Sequence, residues 1–408
     1  ILVRDEPAKC HVIVSGHAQR PVSGKVEGGT TVVVSDADEG SDAVLGALRA
    51  VAVPPFRGVC VSGGDDSVLR VWDLRSHALL ESRPMPAAVT ALAFDEAAEG
   101  DDERRLAVGM DNGAWEVLEV TVPRDGGAAL HASAMISHSG AASIDADADG
   151  PSRKIHDARF SPDGRYLALA CADAIIYLYD THMPPIAGGA PGVVPIAQCA
   201  GHSSAVTKVD WTTSSDVLRS NDLGHELRFW DVPSGEAIAL ASACRDLPWA
   251  TARVTLGYHC QGIFRSAADA TSVLAVDRSP ALANGGGELL ATVDDLGQVS
   301  LFRHPCVRLS GVPKVPGAPN RRSFGAHASA ALDCQWAAMG GADDERIVSV
   351  GGYDLTLMQW RRVREPPKTP SPVGQGSSPM DEASGGDATM SARERRRLKR
   401  LAREQQQS

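Results

Sequence analysis

His259 and Cys260 have the residue types of a thiol nucleophile beside its general base, and Asp145–Asp149 alternates carboxylates as a calcium loop does. The local pattern argues against both. The stretch around His259 reads as part of a strand unit, where adjacent side chains point to opposite faces and cannot act on one another. The Asp145–Asp149 run lacks the closing glutamate that a calcium loop needs. Asp101-Asp102-Glu103 and Asp343-Asp344-Glu345 read as solvated loop tips. No GxSxG elbow, phosphate-binding loop, HExxH pair or clustered His/Cys set occurs. Eight cysteines at 10, 60, 171, 199, 244, 260, 306 and 334 include no CxxC pair, which predicts buried thiols in a reducing cytosol rather than disulfides or zinc ligands. The expectation is a chain that is not an enzyme and uses no cofactor, metal or small-molecule substrate.

The chemistry that does recur belongs to turns. Ser62–Leu74 reads SGGDDSVLRVWDL: small residues, an acidic turn, an alternating strand, then an aromatic-Asp pair. The same grammar returns at Leu167–Asp180, Leu218–Asp231, Leu289–Pro305 and Ile347–Trp360, with a weaker copy at Leu106–Val120. A short carboxylate in such a turn accepts backbone N–H groups and reaches a neighbouring His or Ser. That role falls to Asp66, Asp173, Asp295 and Asp354, with Asn112 standing in within the weak copy. In Leu218–Asp231 the equivalent position falls near Gly224, which predicts an irregular turn. His202 and His327 follow Gly-containing openers and supply imidazole partners, while Trp72, Trp230 and Trp360 mark the repeat ends. All of these read as structural pins.

The elements that must position these pins are short strands. Alternation with β-branched and aromatic residues, broken by Asp/Gly turns, defines six units. The first runs from Val44 to Asp73, the second from Ala88 to Val120 and the third from Ile155 to Asp180; the fourth spans Gly201–Asp231, the fifth Trp249–Pro305 and the sixth Phe324–Val363. Repetition of this kind predicts an all-β fold, a WD-repeat β-propeller of six or seven four-stranded blades whose first strands line a central channel. Equivalent aromatics lie far apart, 72 residues from Trp230 to Phe302 against a usual repeat of about 40–45, so the excess falls in loops such as 19–42 and 123–152. Residues 1–41 read as partial strands of an earlier blade followed by a loop, residues 42–363 as the propeller, and residues 364–408 as a disordered Pro/Ser/Gly-rich tail. A seventh blade would be assembled from residues 1–36 or lie outside this sequence.

Charge narrows the partners. The formal net charge is −11, and the stretch Arg393–Glu404 holds seven basic residues against two glutamates, so the remainder stands near −16. A body this acidic argues against nucleic acid and acidic membrane as partners. No apolar run approaches the length of a membrane span. The chain begins with Ile1 rather than Met, which leaves open that it is a fragment of a longer protein. In the tail, Arg393, Arg395, Arg396, Arg397, Lys399, Arg400 and Arg403 form a basic, helix-prone run suited to an acidic partner, to nuclear import, or to solvation alone. Thr369-Pro370, Ser371-Pro372 and Ser378-Pro379 have the form of proline-directed phosphorylation sites, where added negative charge would weaken such attraction.

Between the fourth and fifth copies, Leu247–Phe264 reads LPWATARVTLGYHCQGIF. Through Trp249, Leu256, Gly257, Gly262 and Ile263 it resembles the Trp-containing connector and L-G-x(4)-G-I signature of echinoderm microtubule-associated protein-like proteins. The segments Val209–Glu236, Leu289–Cys306 and Gly351–Trp360 are similar to neighbouring parts of that family, and the likeness covers about residues 42–363. The resemblance implies the carboxy-terminal propeller of a tandem atypical propeller. It further implies a non-catalytic, cytoplasmic, cytoskeletal protein, at the cilium or spindle in some settings. Its partners would be tubulin, microtubules or associated cytoskeletal proteins, or else it would be a WD-repeat scaffold without direct tubulin contact.

Overall fold

The computed structural model describes residues 10–15, 46–54, 58–97, 103–121, 136–138, 151, 153–183, 192–264, 271–280, 288–307, 321–325, 327–339 and 345–362, all within the compact unit Arg4–Val363. The alternating segments form strands. The first, β1, is Cys10–Ser15. Sheet one contains β2 (Leu48–Ala52), β3 (Val59–Gly64), β4 (Val68–Asp73) and β5 (Leu79–Pro84). Sheet two contains β6 (Val89–Phe94), β7 (Glu103–Met110), β8 (Trp115–Thr121) and β9 (Ile136–His138). Sheet three contains β10 (Ile155–Phe160), β11 (Tyr166–Cys171), β12 (Ile175–Met183) and β13 (Gly192–Ala200). Sheet four has three strands, β14 (Val206–Trp211), β15 (Val217–Asp222) and β16 (Leu227–Asp231). Sheet five contains β17 (Val273–Arg278), β18 (Leu289–Asp294), β19 (Gln298–Arg303) and β20 (Arg321–Gly325). Sheet six contains β21 (Ala331–Ala338), β22 (Glu345–Gly351) and β23 (Thr356–Arg361), with β1 on its outer edge.

Every sheet is antiparallel and, apart from β1 on the edge of sheet six, runs in sequence order from its first strand outwards. Burial follows that order. All six residues of β3, β6 and β18 are buried, because these strands are covered on both faces, whereas outer strands such as β5 alternate exposed and half-buried positions. Apolar side chains interlock between neighbours. Val61, Leu69 and Val71 of sheet one pack on Leu92, Leu106 and Leu118 of sheet two. Trp115 of sheet two meets Tyr179 of sheet three with ring centroids 4.6 Å apart. Sheet six packs on sheet one through Val348, Val350 and Leu357 against Leu48, Cys60 and Trp72.

Three features differ from the sequence expectation. Cys10–Ser15 pairs with β23, the last strand, instead of joining an earlier blade. Sheet five starts at Val273, and Trp249–Phe264 stands apart from it as a connector with a 3-10 helix at Tyr258–Ile263. His259 and Cys260 therefore lie on a helical turn, not a strand; Cys260 is fully buried and its thiol is pushed up to about 12 by that burial, the opposite of an activated nucleophile. Lastly, sheet four carries only a short extended stretch where a fourth strand would lie: Ala237 bridges Trp230, and the Ile238 N–H donates to the Phe229 carbonyl.

Candidate interaction face

The six first strands share one irregularity. Each has a register shift between its first and third residues: Leu48/Ala50, Val89/Ala91, Ile155/Asp157, Val206/Lys208, Val273/Ala275 and Ala331/Asp333. A bulge re-aims the extra side chain. The extra residues are Arg49, Thr90, His156, Thr207, Leu274 and Leu332, and together they line one cavity of about 180 Å³. Lys154 and Lys208 stand on the same wall.

Below this mouth the first strands are stapled to one another. Their inner edges carry N–H groups that no strand of the same sheet covers, and buried N–H groups must find acceptors. Carboxylates and an amide from the preceding first strand provide them. Asp157 accepts from Val209 N–H at 3.1 Å, Asp277 from Trp336 at 2.7 Å, and Asp333 from Val51 at 3.3 Å, while Gln335 accepts from Val53 at 2.7 Å. Asp210 of β14 does the same for the connector, accepting from Arg253 N–H at 2.7 Å and Val254 N–H at 2.9 Å. The connector thus takes the bonding position of a first strand between sheets four and five. Its Arg253 side chain, 1% exposed, reaches β21, donating to the Cys334 carbonyl at 2.6 Å and to Asp333. Burial opposes the Arg253 charge, but Asp333, Asp277 and Asp157 outweigh it and hold the guanidinium firmly protonated.

The turns between second and third strands lie at the same end as the mouth, since antiparallel order returns the chain there. In all six, the N–H two residues beyond the turn apex is received by a side-chain oxygen. Asp66, Asn112, Asp173 and Asp354 sit at the apex and accept from Val68, Ala114, Ile175 and Thr356. Where the apex is Gly224 or Leu296, the acceptor moves two residues back: Asp222 takes Glu226 N–H and Asp294 takes Gln298 N–H, both at 2.8 Å. Asp295 is thus not the pin of its turn. It bonds Ser272 N–H at 3.0 Å, as Asp65 bonds Ala47 N–H at 2.8 Å. The carboxylate has work to do, because the residue after each apex lies at positive φ and four of the six are not glycine, Ser67, Ala174, His225 and Leu355, an arrangement costing roughly 1–2 kcal/mol each.

Behind two turns a polar chain crosses the sheet. His202 Nε2 and the Trp230 indole meet Ser220 Oγ at 2.7 and 2.8 Å, and His202 Nδ1 lies 3.2 Å from Asp222. His327 and Trp360 meet Ser349 in the same way, with His327 Nδ1 on Asp354 and Thr356. Trp72 donates to Ser62 at 2.8 Å in sheet one. His202, Asp222 and Glu226 are the one His/Asp/Glu group among the described residues close enough to hold a metal, with His202 Nε2 engaged by Ser220, Asp222 Oδ1 by the Glu226 N–H and Glu226 Oε2 by Arg228. Asp222→Ala is expected to cost about 1–3 kcal/mol in a urea melt, because it strips both the turn N–H and the His202 ring of a buried partner. Asp294→Ala, which has no imidazole to orphan, should cost less; an equal loss would contradict this division of roles.

The buried imidazoles also set a pH response. His327 and His202 have pKa values lowered by burial against the pull of Asp354 and Asp222, and His156 is pushed down to about 4 by burial and by Lys154 and Lys208. A folded-state value below the ordinary 6.5 means the unfolded chain takes up protons first. The stability these groups contribute is full above pH 6.5 and is lost as pH falls through their folded values. Asp277, raised by burial, works in the opposite sense. The Tm of His327→Gln should therefore depend less steeply on pH between 7 and 5 than that of the parent. An unchanged slope would count against a neutral His327.

Connector contacts explain its sequence. Trp249 is buried against Phe229 at 6.0 Å, with the Arg219 guanidinium 4.2 Å above its ring. Ile263, with Ala252 and Cys260, packs on Val276, Leu290 and Phe302 of sheet five. Gly262 has no room for a side chain, since a Cβ there would meet Cys306 Sγ at 2.5 Å, and at Gly257 it would meet Arg219 Nη1 at 2.8 Å. Leu256 is half-buried beside them. Residues 48–362 match the family described as the echinoderm microtubule-associated protein second beta-propeller. The chain belongs to the echinoderm microtubule-associated protein family. It is 31% identical to the 77 kDa echinoderm microtubule-associated protein of Lytechinus variegatus over 323 residues, 78% of this chain and 41% of that protein. Against human echinoderm microtubule-associated protein-like 2 it is 31% identical over 318 residues, 78% of this chain and 42% of the relative. Human echinoderm microtubule-associated protein-like 3 is 29% identical over 81% of this chain and 32% of its own length. The chain thus spans about two fifths or less of these curated relatives. In this member of the echinoderm microtubule-associated protein family, the connector and WD-repeat pins fall within the matched region, whereas tail residues 393–403 lie outside the described residues. Among the described residues no helix is long and apolar enough to cross a membrane.

Proposed function

We propose that this chain is a non-catalytic protein-interaction module that binds tubulin or microtubules at the cytoskeleton. Its six sheets and connector would form a closed propeller, the connector serving as a seventh, single-strand element. The match of residues 48–362 to the second propeller of echinoderm microtubule-associated proteins carries the reading. The stapling of β21 to β2 through Asp333 and Gln335 supports closure. One observation favours a second reading, a scaffold whose propeller makes no tubulin contact: the body is acidic, as is the microtubule surface, so attraction must come from local basic groups or the tail. Co-sedimentation with polymerised and free tubulin separates the two, using the whole chain, a version ending at Val363 and the isolated tail. Binding by the version ending at Val363 is expected. Binding by the tail alone would leave the propeller a scaffold, and binding by none at low salt would end the tubulin reading.

A further inference from the structure

The turn apices around the mouth are not alike. At or just before the apex, sheets one to three carry Asp65, Asp66, Asp111 and Asp173; sheets five and six keep the half-buried Asp295 and Asp354, but sheets four to six add Leu223, Leu296 and Tyr353, exposed by 61, 61 and 64%. Single exposed apolar residues are ordinary. Three at equivalent turns of three successive sheets, facing the same end of the molecule, form a pattern. Leu274 and Leu332 extend it inward along the cavity wall. The folded state gains nothing from leaving these side chains in water.

Beside this apolar arc stands a positive cluster. Arg49 is held by Asp65 at 2.8 Å, with the Tyr353 phenol next to it. Lys208 lies 4.0 Å from both Asp157 and Asp333, carboxylates already engaged with Val209 N–H and Arg253. Lys154 has no ion pair among the described residues. Burial, then repulsion from Arg49, pulls its pKa down against the opposing attraction of Asp65 and Asp111. The cavity, about 180 Å³, has room for about six waters, the space of a side chain or two and far too little for a folded domain.

We propose that this face binds an extended acidic peptide of a partner protein, placing a carboxylate side chain beside Lys154 and adjacent apolar side chains on Leu223, Leu296 and Tyr353. The positive groups select the acid, and the apolar arc selects its neighbours. Nucleic acid fits poorly, since Asp-bearing turns stand around most of the rim and repel a long polyanion. The inference rests on the reading of this propeller as a protein-interaction module, but not on tubulin as the partner.

The probe is a dye-labelled synthetic peptide of alternating glutamate and leucine, followed by fluorescence anisotropy with the whole chain. Saturable binding is expected, weakened roughly tenfold or more by Lys154→Glu and by Leu296→Asp. Lys154 is half-buried at the mouth and Leu296 is exposed, and unchanged thermal melts will show that each variant folds. The same peptide with glutamine for glutamate should bind at least tenfold more weakly. Binding that is absent in the parent, equal in Lys154→Glu, or equal with the glutamine peptide overturns the proposal, as does displacement of the peptide by inorganic phosphate at equal concentration. Lys154-dependent peptide binding by a chain that sediments with no tubulin would uphold this site while ending the tubulin reading.

Discussion

Arg253→Met is expected to destabilise the protein by about 3–5 kcal/mol, the loss typical of removing one partner from a buried ion pair. Methionine keeps much of the stem, so packing changes little and the effect isolates the charge. What remains is Asp333, held well below the usual carboxylate range by Arg253, Lys208 and Arg159 in spite of its burial. Asp277, 3.8 Å from the guanidinium, loses its nearest cation as well. The Cys334 carbonyl loses a donor in a site without exposed surface. Urea melts of parent and variant measure the loss. Arg253→Met combined with Asp333→Asn should recover part of it, since the orphaned charge is then gone. A loss under about 1 kcal/mol would mean that water enters the site and solvates Asp333 freely.

That residue shows where sequence reasoning stopped. The turns were legible because their determinants are local: an Asp reaching an N–H two residues on needs only its own loop, and Asp66, Asp173 and Asp354 do this. The two exceptions used a different local solution. Asp222 and Asp294 end their second strands, where an acid looks like the boundary of an apolar run instead of the pin of the turn beyond. Asp157, Asp210, Asp277 and Asp333 were hidden for another reason. Each sits within a short first strand that carries other polar residues as well, so nothing marks it out, and its partner is an N–H of the next first strand or the connector, 43 to 282 residues away. The connector itself carries no repeat grammar, so its place between two sheets could not be read from periodicity. The pairing of Cys10–Ser15 with β23 spans nearly the whole chain, and nothing in either segment names the other.

Trp249→Ala should cost a comparable amount, about 3–5 kcal/mol for an aromatic truncated in a core, with roughly 0.5–2 kcal/mol of that from the cation–π contact with Arg219. Trp249→Phe should cost less, keeping an aromatic face under the guanidinium. The reasoning reaches beyond the cavity left behind. Arg219 also donates to Asp210 at 3.0 and 2.9 Å, and Asp210 in turn holds the backbone of Arg253 and Val254. Trp249, Arg219, Asp210, Arg253 and Asp333 therefore form one line of contacts from sheet four, through the connector, to sheet six. Removing either end loosens the docking on which the other depends. The double variant Trp249→Ala, Arg253→Met should thus lose less than the sum of the two single losses, by 1 kcal/mol or more on the order seen for residues sharing a network. If the single losses add within about 0.5 kcal/mol, the connector docks as two independent halves, and its tryptophan and arginine were retained for separate reasons.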